Sequence, residues 1–294
     1  MKQKISLVLS GGGARGIAHI GAIEELEKHG YEIVAVTGTS MGALVGAVYA
    51  MGKMPVFKEW MFTLDKRRTL NLVDFTLSSQ GLIRGDKVLN AMKEFIDDTN
   101  IEDLSIPYTA IATDIINRKE VVMTTGSIYD AIRASISIPT VLTPVKTETG
   151  LLVDGGVVNN VPLNRAPRVA GDMLVAVHVN ANIPIEKPKV VTVEMEENQN
   201  VYQRKLKEFQ SHLRKTNPLH KDEKLGYFNV ISKTISMMTN HASEVMLQDN
   251  PPDILINVSR DLGGTYDFFR AEEFAEAGRY AAQKSLEKYE ANLA

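Results

Sequence analysis

The chain has 294 residues, 44% hydrophobic and 23% charged, with a formal charge of −3. These are ordinary values for a folded domain able to bury a core without disulfides or structural metals. The near balance of charge excludes a global attraction to nucleic acid. The absence of cysteine excludes thiol nucleophiles, disulfides and thiolate metal sites. Met1-Lys2-Gln3-Lys4 is basic, but Ile5 to Leu9 is too short for a secretory signal, and no apolar run is long enough to span a bilayer. A cytoplasmic protein without export signal or transmembrane segment is expected.

Ile5-Ser6-Leu7-Val8-Leu9 reads as a buried strand ending in Ser10-Gly11-Gly12-Gly13-Ala14-Arg15-Gly16. Ile20, Ala22, Ile23 and Leu26 keep helical spacing from Ile17 to His29, and Gly30 stands where a helix C-cap belongs. Glu32 to Thr37 holds an unbroken apolar run, as in strands buried on both faces. It ends in Gly38-Thr39-Ser40-Met41-Gly42, and a helix of small residues follows to about Gly52. Strand–helix–strand–helix predicts a parallel α/β sheet. Further helices are expected over Met54–Leu64, Asp86–Asp97, Ser127–Ser137 and Ala271–Tyr289. Further strands are expected over Tyr108–Ile115 and Glu120–Thr125 (a hairpin across Asn117), Leu151–Val153, Met173–Val179 and Ile254–Val258.

Gly11, Gly13 and Gly16 fit G-x-G-x-x-G between a strand and a helix, a spacing used to bind dinucleotides. That reading, a nucleotide-binding oxidoreductase, also wants an acid at the end of the second strand, where this chain has Thr37-Gly38-Thr39-Ser40. The other reading is a nest of backbone amides able to stabilise an oxyanion.

Gly38-Thr39-Ser40-Met41-Gly42 is G-x-S-x-G between a buried strand and a helix, the setting of a nucleophile elbow. Ser40 could equally cap that helix. A serine nucleophile needs a base. His19 and His29 lie on the first helix, His178 inside an apolar strand, and His212, His220 and His241 in a polar stretch. His178 is the best of the six. Asp154, in Asp154-Gly155-Gly156 directly after Leu151-Leu152-Val153, emerges at a strand end and is the stronger candidate, although Asp-Gly is also an ordinary turn signal.

Together, Gly11-Gly12-Gly13-Ala14-Arg15-Gly16, Gly38-Thr39-Ser40-Met41-Gly42 and Asp154-Gly155-Gly156 resemble the three blocks of the patatin-like phospholipases. Ser137-Ile138-Pro139, the Asn160-x-Pro162 step, Pro252-Asp253-Ile254-Leu255-Ile256 and Tyr266-Asp267-Phe268 are similar to bacterial members. The resemblance implies a three-layer α/β/α fold with a mainly parallel sheet and a Ser–Asp dyad at its C-terminal edge. It implies a serine acyl hydrolase of the phospholipase A, lysophospholipase or esterase type, acting on carboxylic esters of lipids without metal or cofactor. Ser40 would be the nucleophile and Asp154 the proton acceptor. Amides of Gly11, Gly12 and Gly13 would hold the oxyanion, and Arg15 would order the loop. A catalytically silent lipid-binding module with the same fold is the remaining alternative.

One domain over residues 1–294 is expected, with an insertion at about 185–249 that departs from the family pattern. Within it, Arg204 to Lys224 is basic, with Tyr202, Leu206, Phe209 and Leu213 at helical spacing, a pattern suited to an anionic membrane surface. The Met-rich run Ile235-Ser236-Met237-Met238 to Val245-Met246-Leu247 would suit an adaptable acyl groove. The expected partner is a lipid or fatty-acyl ester; peripheral membrane contact and homo-oligomerisation are left open.

Overall fold

The structure is a computed structural model that describes residues 2–72, 75–78, 81–185 and 227–293. The first half runs β1 (Gln3–Leu9), a 3-10 turn (Gly13–Ile17), α1 (Ala18–Lys28), β2 (Tyr31–Thr39), α2 (Met41–Ala50), α3 (Met54–Phe62) and α4 (Lys66–Asn71). A short hairpin, β3 (Phe75–Ser78) and β4 (Gly81–Ile83), precedes α5 (Asp86–Lys93). Then come β5 (Tyr108–Asp114), β6 (Lys119–Met123), α6 (Ile128–Ser135), β7 (Val145–Lys146), β8 (Leu151–Asp154) and β9 (Met173–Ala181). The long helix α7 (Tyr227–Asp249), β10 (Ile254–Ser259) and a final helix α8 (Ala271–Leu293) complete the chain.

The central sheet has the order β10-β9-β1-β2-β5-β8-β7, with β6 also paired to β5. The five strands from β10 to β5 are parallel, and β6, β7 and β8 join antiparallel. Parallel strands are covered on both faces, which is why β1 and β2 carry near-continuous apolar runs. One face packs against α1, α2, α6 and α8 through Leu7, Ile20, Leu26, Val36, Val177 and Phe274. The other is covered by α7 and the segment after β8, where Val8, Val161, Leu163, Leu174 and Ala176 meet Met246 and Leu247. Among the described residues no helix is long and apolar enough to cross a membrane.

Strand order reverses at β1, which has β2 on one side and β9 on the other. Such a reversal opens a crevice beyond the C-terminal strand ends. The glycine loop that follows β1 lies there. A second constraint comes from β5. Ala110 and Ile111 pair with β6, as do Ala112, Thr113 and Asp114, so β6 fills one edge of that strand. The opposite edge is shared end to end, β2 pairing up to Ile111 and β8 from Ala112 onward. Because β2 is parallel and β8 antiparallel to β5, their C-terminal ends point at each other. Ser40, which follows β2, and Asp154, which ends β8, are thereby brought together.

The sequence finds β1, β2, β5, β9, β10 and their helices, with ends shifted by a few residues. The antiparallel sense of β8 and the short strands β3, β4 and β7 carry no local signature and are not anticipated. The basic stretch Arg204–Lys224 lies outside the described residues. On α7, Met237 and Met238 are exposed while Met246 and Leu247 pack on the core; the Met-rich run is therefore split between solvent and interior.

Helices α1 and α8 touch backbone to backbone. A Cβ on Gly21 would stand 1.8 Å from the Ala275 carbonyl oxygen, and one on Gly278 1.8 Å from that of Ala18. Gly278→Ala should therefore force the helices apart and lower the unfolding free energy by about 3 kcal/mol or more, measured by urea denaturation; an unchanged midpoint would contradict this packing.

Candidate active site

Ser40 occupies the N-cap position of α2, yet its side chain accepts no bond from the helix amides. Its backbone has φ 55 and ψ −125, a strained conformation of the kind stored at functional turns. Close packing enforces it: a Cβ on Gly42 would lie 2.2 Å from the Leu9 carbonyl oxygen, so elbow and β1 can approach only with glycine there. The Ser40 N–H donates to Ser135 Oγ (2.8 Å), and that hydroxyl donates to the Ile111 carbonyl (2.6 Å). Thr39 Oγ1 donates to the Asn159 carbonyl (2.8 Å), tying the elbow to the segment after β8. Met41 is buried against Gly16 in the turn before α1.

Asp154 ends β8 with its backbone held twice: its N–H donates to the Ser137 carbonyl (2.9 Å), and its carbonyl accepts from Thr113 Oγ1 (3.1 Å). Its Oδ1 accepts the Gly156 N–H (2.7 Å). Gly155 lies against the Ile111 carbonyl, where a Cβ would come within 2.3 Å. The residue is 6% exposed. Burial pushes its pKa up from 3.8 to about 6, against the downward pull of hydrogen bonds from the Ser40 hydroxyl and the Gly156 amide. Alcohol and carboxylate, 114 positions apart in sequence, therefore face each other.

The glycine loop closes over Ser40: a Cβ on Gly11 would lie 3.1 Å from Ser40 Cβ. The Gly11 N–H donates to the Asn160 carbonyl (3.0 Å) and the Ala14 N–H to that of Thr265 (2.8 Å). Among the described residues the amides of Gly12 and Gly13 have no protein acceptor. Of the three glycine amides, the one given to an acceptor among the described residues is that of Gly11, and it serves the architecture. Arg15 donates twice to Asn180 Oδ1 (3.0 and 2.7 Å) and once to the Gly263 carbonyl (2.8 Å), while Asn180 Nδ2 donates to the Gly11 carbonyl (2.8 Å). The guanidinium orders the loop through Asn180. Desolvation lowers its pKa in spite of Asp261 and Asp267 nearby.

The described histidines stand elsewhere. His19 Nε2 donates to the Ser10 carbonyl (2.8 Å), and His29 Nδ1 contacts Glu25. His178 is 5% exposed, with Nδ1 unpartnered. Burial pushes both His19 and His178 down to about 4. His241 is on the exposed side of α7, and His212 and His220 lie outside the described residues. Among the described residues none of them hydrogen-bonds Ser40.

Sequence reading alone passes over Ser135, Asn160 and Asn180. The first stands two residues before the Ser137-Ile138-Pro139 step and the second opens the Asn160-x-Pro162 step, but their partners are distant in the chain.

The chain matches the family model described as Patatin-like phospholipase over residues 7–167, and it belongs to that family. An uncharacterized NTE family protein of Mycobacterium tuberculosis is 32% identical, the match covering 98% of this chain and 92% of that protein. Neuropathy target esterase sws of Drosophila persimilis is 37% identical over 167 residues, which are 54% of this chain and 12% of the esterase. Among solved structures, VipD from Legionella pneumophila aligns with a TM-score of 0.43 at 14% identity, covering 97% of this chain and 67% of that one.

Two outcomes follow from this geometry. A carboxyl whose folded pKa lies above its unfolded value favours folding while protonated. That contribution is present below about pH 4 and is lost as the pH rises through 6. Asp154→Asn, which removes the buried charge, should therefore exceed the native protein in stability at pH 8 by up to about 3 kcal/mol, the gap closing toward pH 4 in urea titrations. Ser135→Ala leaves the buried Ser40 N–H and Ile111 carbonyl without their shared partner; a loss of about 1–3 kcal/mol is expected in the same assay.

Proposed function

We propose that the protein is a serine acyl hydrolase that cleaves carboxylic esters of lipids, of the phospholipase A, lysophospholipase or esterase type. The observation that carries this reading is the buried Asp154 carboxyl, raised to about 6, against the hydroxyl of a strained Ser40. An ordinary aspartate is too weak a base for an alcohol. A rise of about two units makes this one roughly a hundredfold more basic and leaves it ionised at neutral pH.

Ser40 Oγ attacks the ester carbonyl while its proton passes to Asp154. The amides of Gly12 and Gly13, without an acceptor among the described residues, and the N-terminal end of α2 stabilise the oxyanion. Collapse expels the alcohol, which takes the proton from Asp154, and water then releases the acyl group from Ser40. Gly11 and Gly16 shape the loop, Gly38, Thr39, Met41 and Gly42 the elbow, and Gly155 the turn after the base. Val157 and Val158, apolar and exposed two and three residues past Gly155, suit an acyl chain or a lipid surface beside the site.

Product analysis by mass spectrometry on phospholipids, lysophospholipids and neutral glycerides tests the reading. Release of free fatty acid by the native protein, none by Ser40→Ala, and a loss of about a thousandfold or more in Asp154→Asn are expected. kcat/KM should fall about tenfold per pH unit below about 6, because only ionised Asp154 accepts the proton. Full turnover in Asp154→Asn, or fatty-acid release by Ser40→Ala, would overturn it.

A further inference from the structure

A third polar side chain, that of Asn160, borders Ser40 and Asp154. Asn160 is 5% exposed, and its Nδ2 contacts Ser243 Oγ on α7 (3.3 Å). The single hydroxyl hydrogen of Ser243 is given to the Thr239 carbonyl (2.8 Å). The contact with Asn160 can therefore run only from the amide nitrogen to the hydroxyl oxygen. That fixes the carboxamide, with nitrogen toward α7 and oxygen toward the site.

The oxygen borders two glycines. A Cβ on Gly11 would stand 2.4 Å from Asn160 Oδ1 and 3.1 Å from Ser40 Cβ. A Cβ on Gly156 would stand 3.0 Å from Asn160 Oδ1 and 3.1 Å from Asp154 Oδ1. Among the described residues nothing donates to Asn160 Oδ1. Unlike its neighbour Asn159 Oδ1, it is not sealed from solvent. Asn160 Oδ1 is thus an open acceptor beside the nucleophile and its base.

Gly156 borders the same space. Its φ is outside the left-handed region, so the backbone does not demand glycine, and the two nearest contacts of a Cβ would be these side-chain oxygens. What a methyl group would remove is the space between them. Two acceptors facing one space call for a donor with two hydrogens, and water is that donor.

We propose that Asp154 and Asn160 Oδ1 hold the water that hydrolyses the acyl-enzyme, which makes Asn160 a catalytic residue of the second half-reaction; the inference rests on Ser40 as nucleophile. One water hydrogen goes to each acceptor, leaving a lone pair for the acyl carbonyl carbon. As that carbon–oxygen bond forms, the water proton passes to Asp154. Collapse breaks the bond to Ser40 Oγ, which takes the proton back, and a carboxylic acid leaves. The bond that Asn160 Nδ2 donates to Ser243 Oγ on α7 keeps the carboxamide from turning its nitrogen to the water.

The two half-reactions are separated by an alkyl fluorophosphonate, which reports attack by Ser40, and by stopped-flow hydrolysis of p-nitrophenyl butyrate. Asn160→Ala should label within about threefold of the native rate, and Gly156→Ala, whose methyl also crowds Asp154 Oδ1, should lose far more turnover than labelling. Both should release one equivalent of p-nitrophenol in a burst and then turn over about tenfold to a hundredfold more slowly, with butyryl-enzyme in the intact mass. Ser243→Ala, which only unlocks the carboxamide, should slow the same phase by a smaller factor. Gly156→Ala leaves the Asn160 bonds in place, so a folding defect in Asn160→Ala does not spoil the test. Parallel loss of labelling and turnover without acyl-enzyme, or native steady-state turnover, would overturn the role of the water. A native protein that fails to label would instead overturn Ser40 as nucleophile, and this inference with it.

Discussion

Everything at the site depends on how β5 spends one edge. A strand has two edges, and β6 takes the whole of one beside Ala110–Asp114. The other is divided between β2 and β8, which meet at the step from Ile111 to Ala112. Two strands arriving from opposite directions must both turn away there, and the turns carry Ser40 and Asp154. The break leaves the Ile111 carbonyl to be satisfied, and Ser135 at the end of α6 does so while holding the Ser40 amide. An interrupted ladder is costly inside a protein unless every freed group finds a partner. Here the partner is the group that fixes the elbow.

The same junction sets the electrostatics. Asp154 is nearly sealed from water, and two donors support its charge, the Ser40 hydroxyl and the Gly156 amide. Full solvation would make the carboxylate a poor base, and a fuller set of donors would do the same. Burial with few donors raises its proton affinity and costs folding stability. The half-buried Arg15 is engaged elsewhere: it donates to Asn180 and Gly263, stiffening the loop, and no cation offsets the Asp154 charge among the causes of its shift.

Much of the architecture was legible because parallel strands buried on both faces leave unbroken apolar runs, and glycines mark the turns between them. Gly11–Gly16, Gly38–Gly42 and Asp154–Gly156 stand out for that reason. Long-range partnerships were not legible. Nothing local to Leu151–Asp154 says that β8 runs antiparallel, and that sense is what aims Asp154 at Ser40. Equally, the Gly11 amide is taken by Asn160, from a segment far along the chain, so three similar glycines do different work. Ser135, Asn160 and Asn180 act through contacts that no helical or strand period encodes.

The chain belongs to the patatin-like phospholipase family, and the central proposal is chemical: a carboxylate in a dry junction activates the serine opposite. Its most direct test is the pH dependence of covalent labelling by a fluorophosphonate, with the adduct located by peptide mapping. The account predicts an adduct on Ser40 alone, forming faster as the pH rises through about 6 and at least about a hundredfold more slowly, without that inflection, in Asp154→Asn. An adduct on another residue, or an unchanged rate and pH profile in Asp154→Asn, would contradict it.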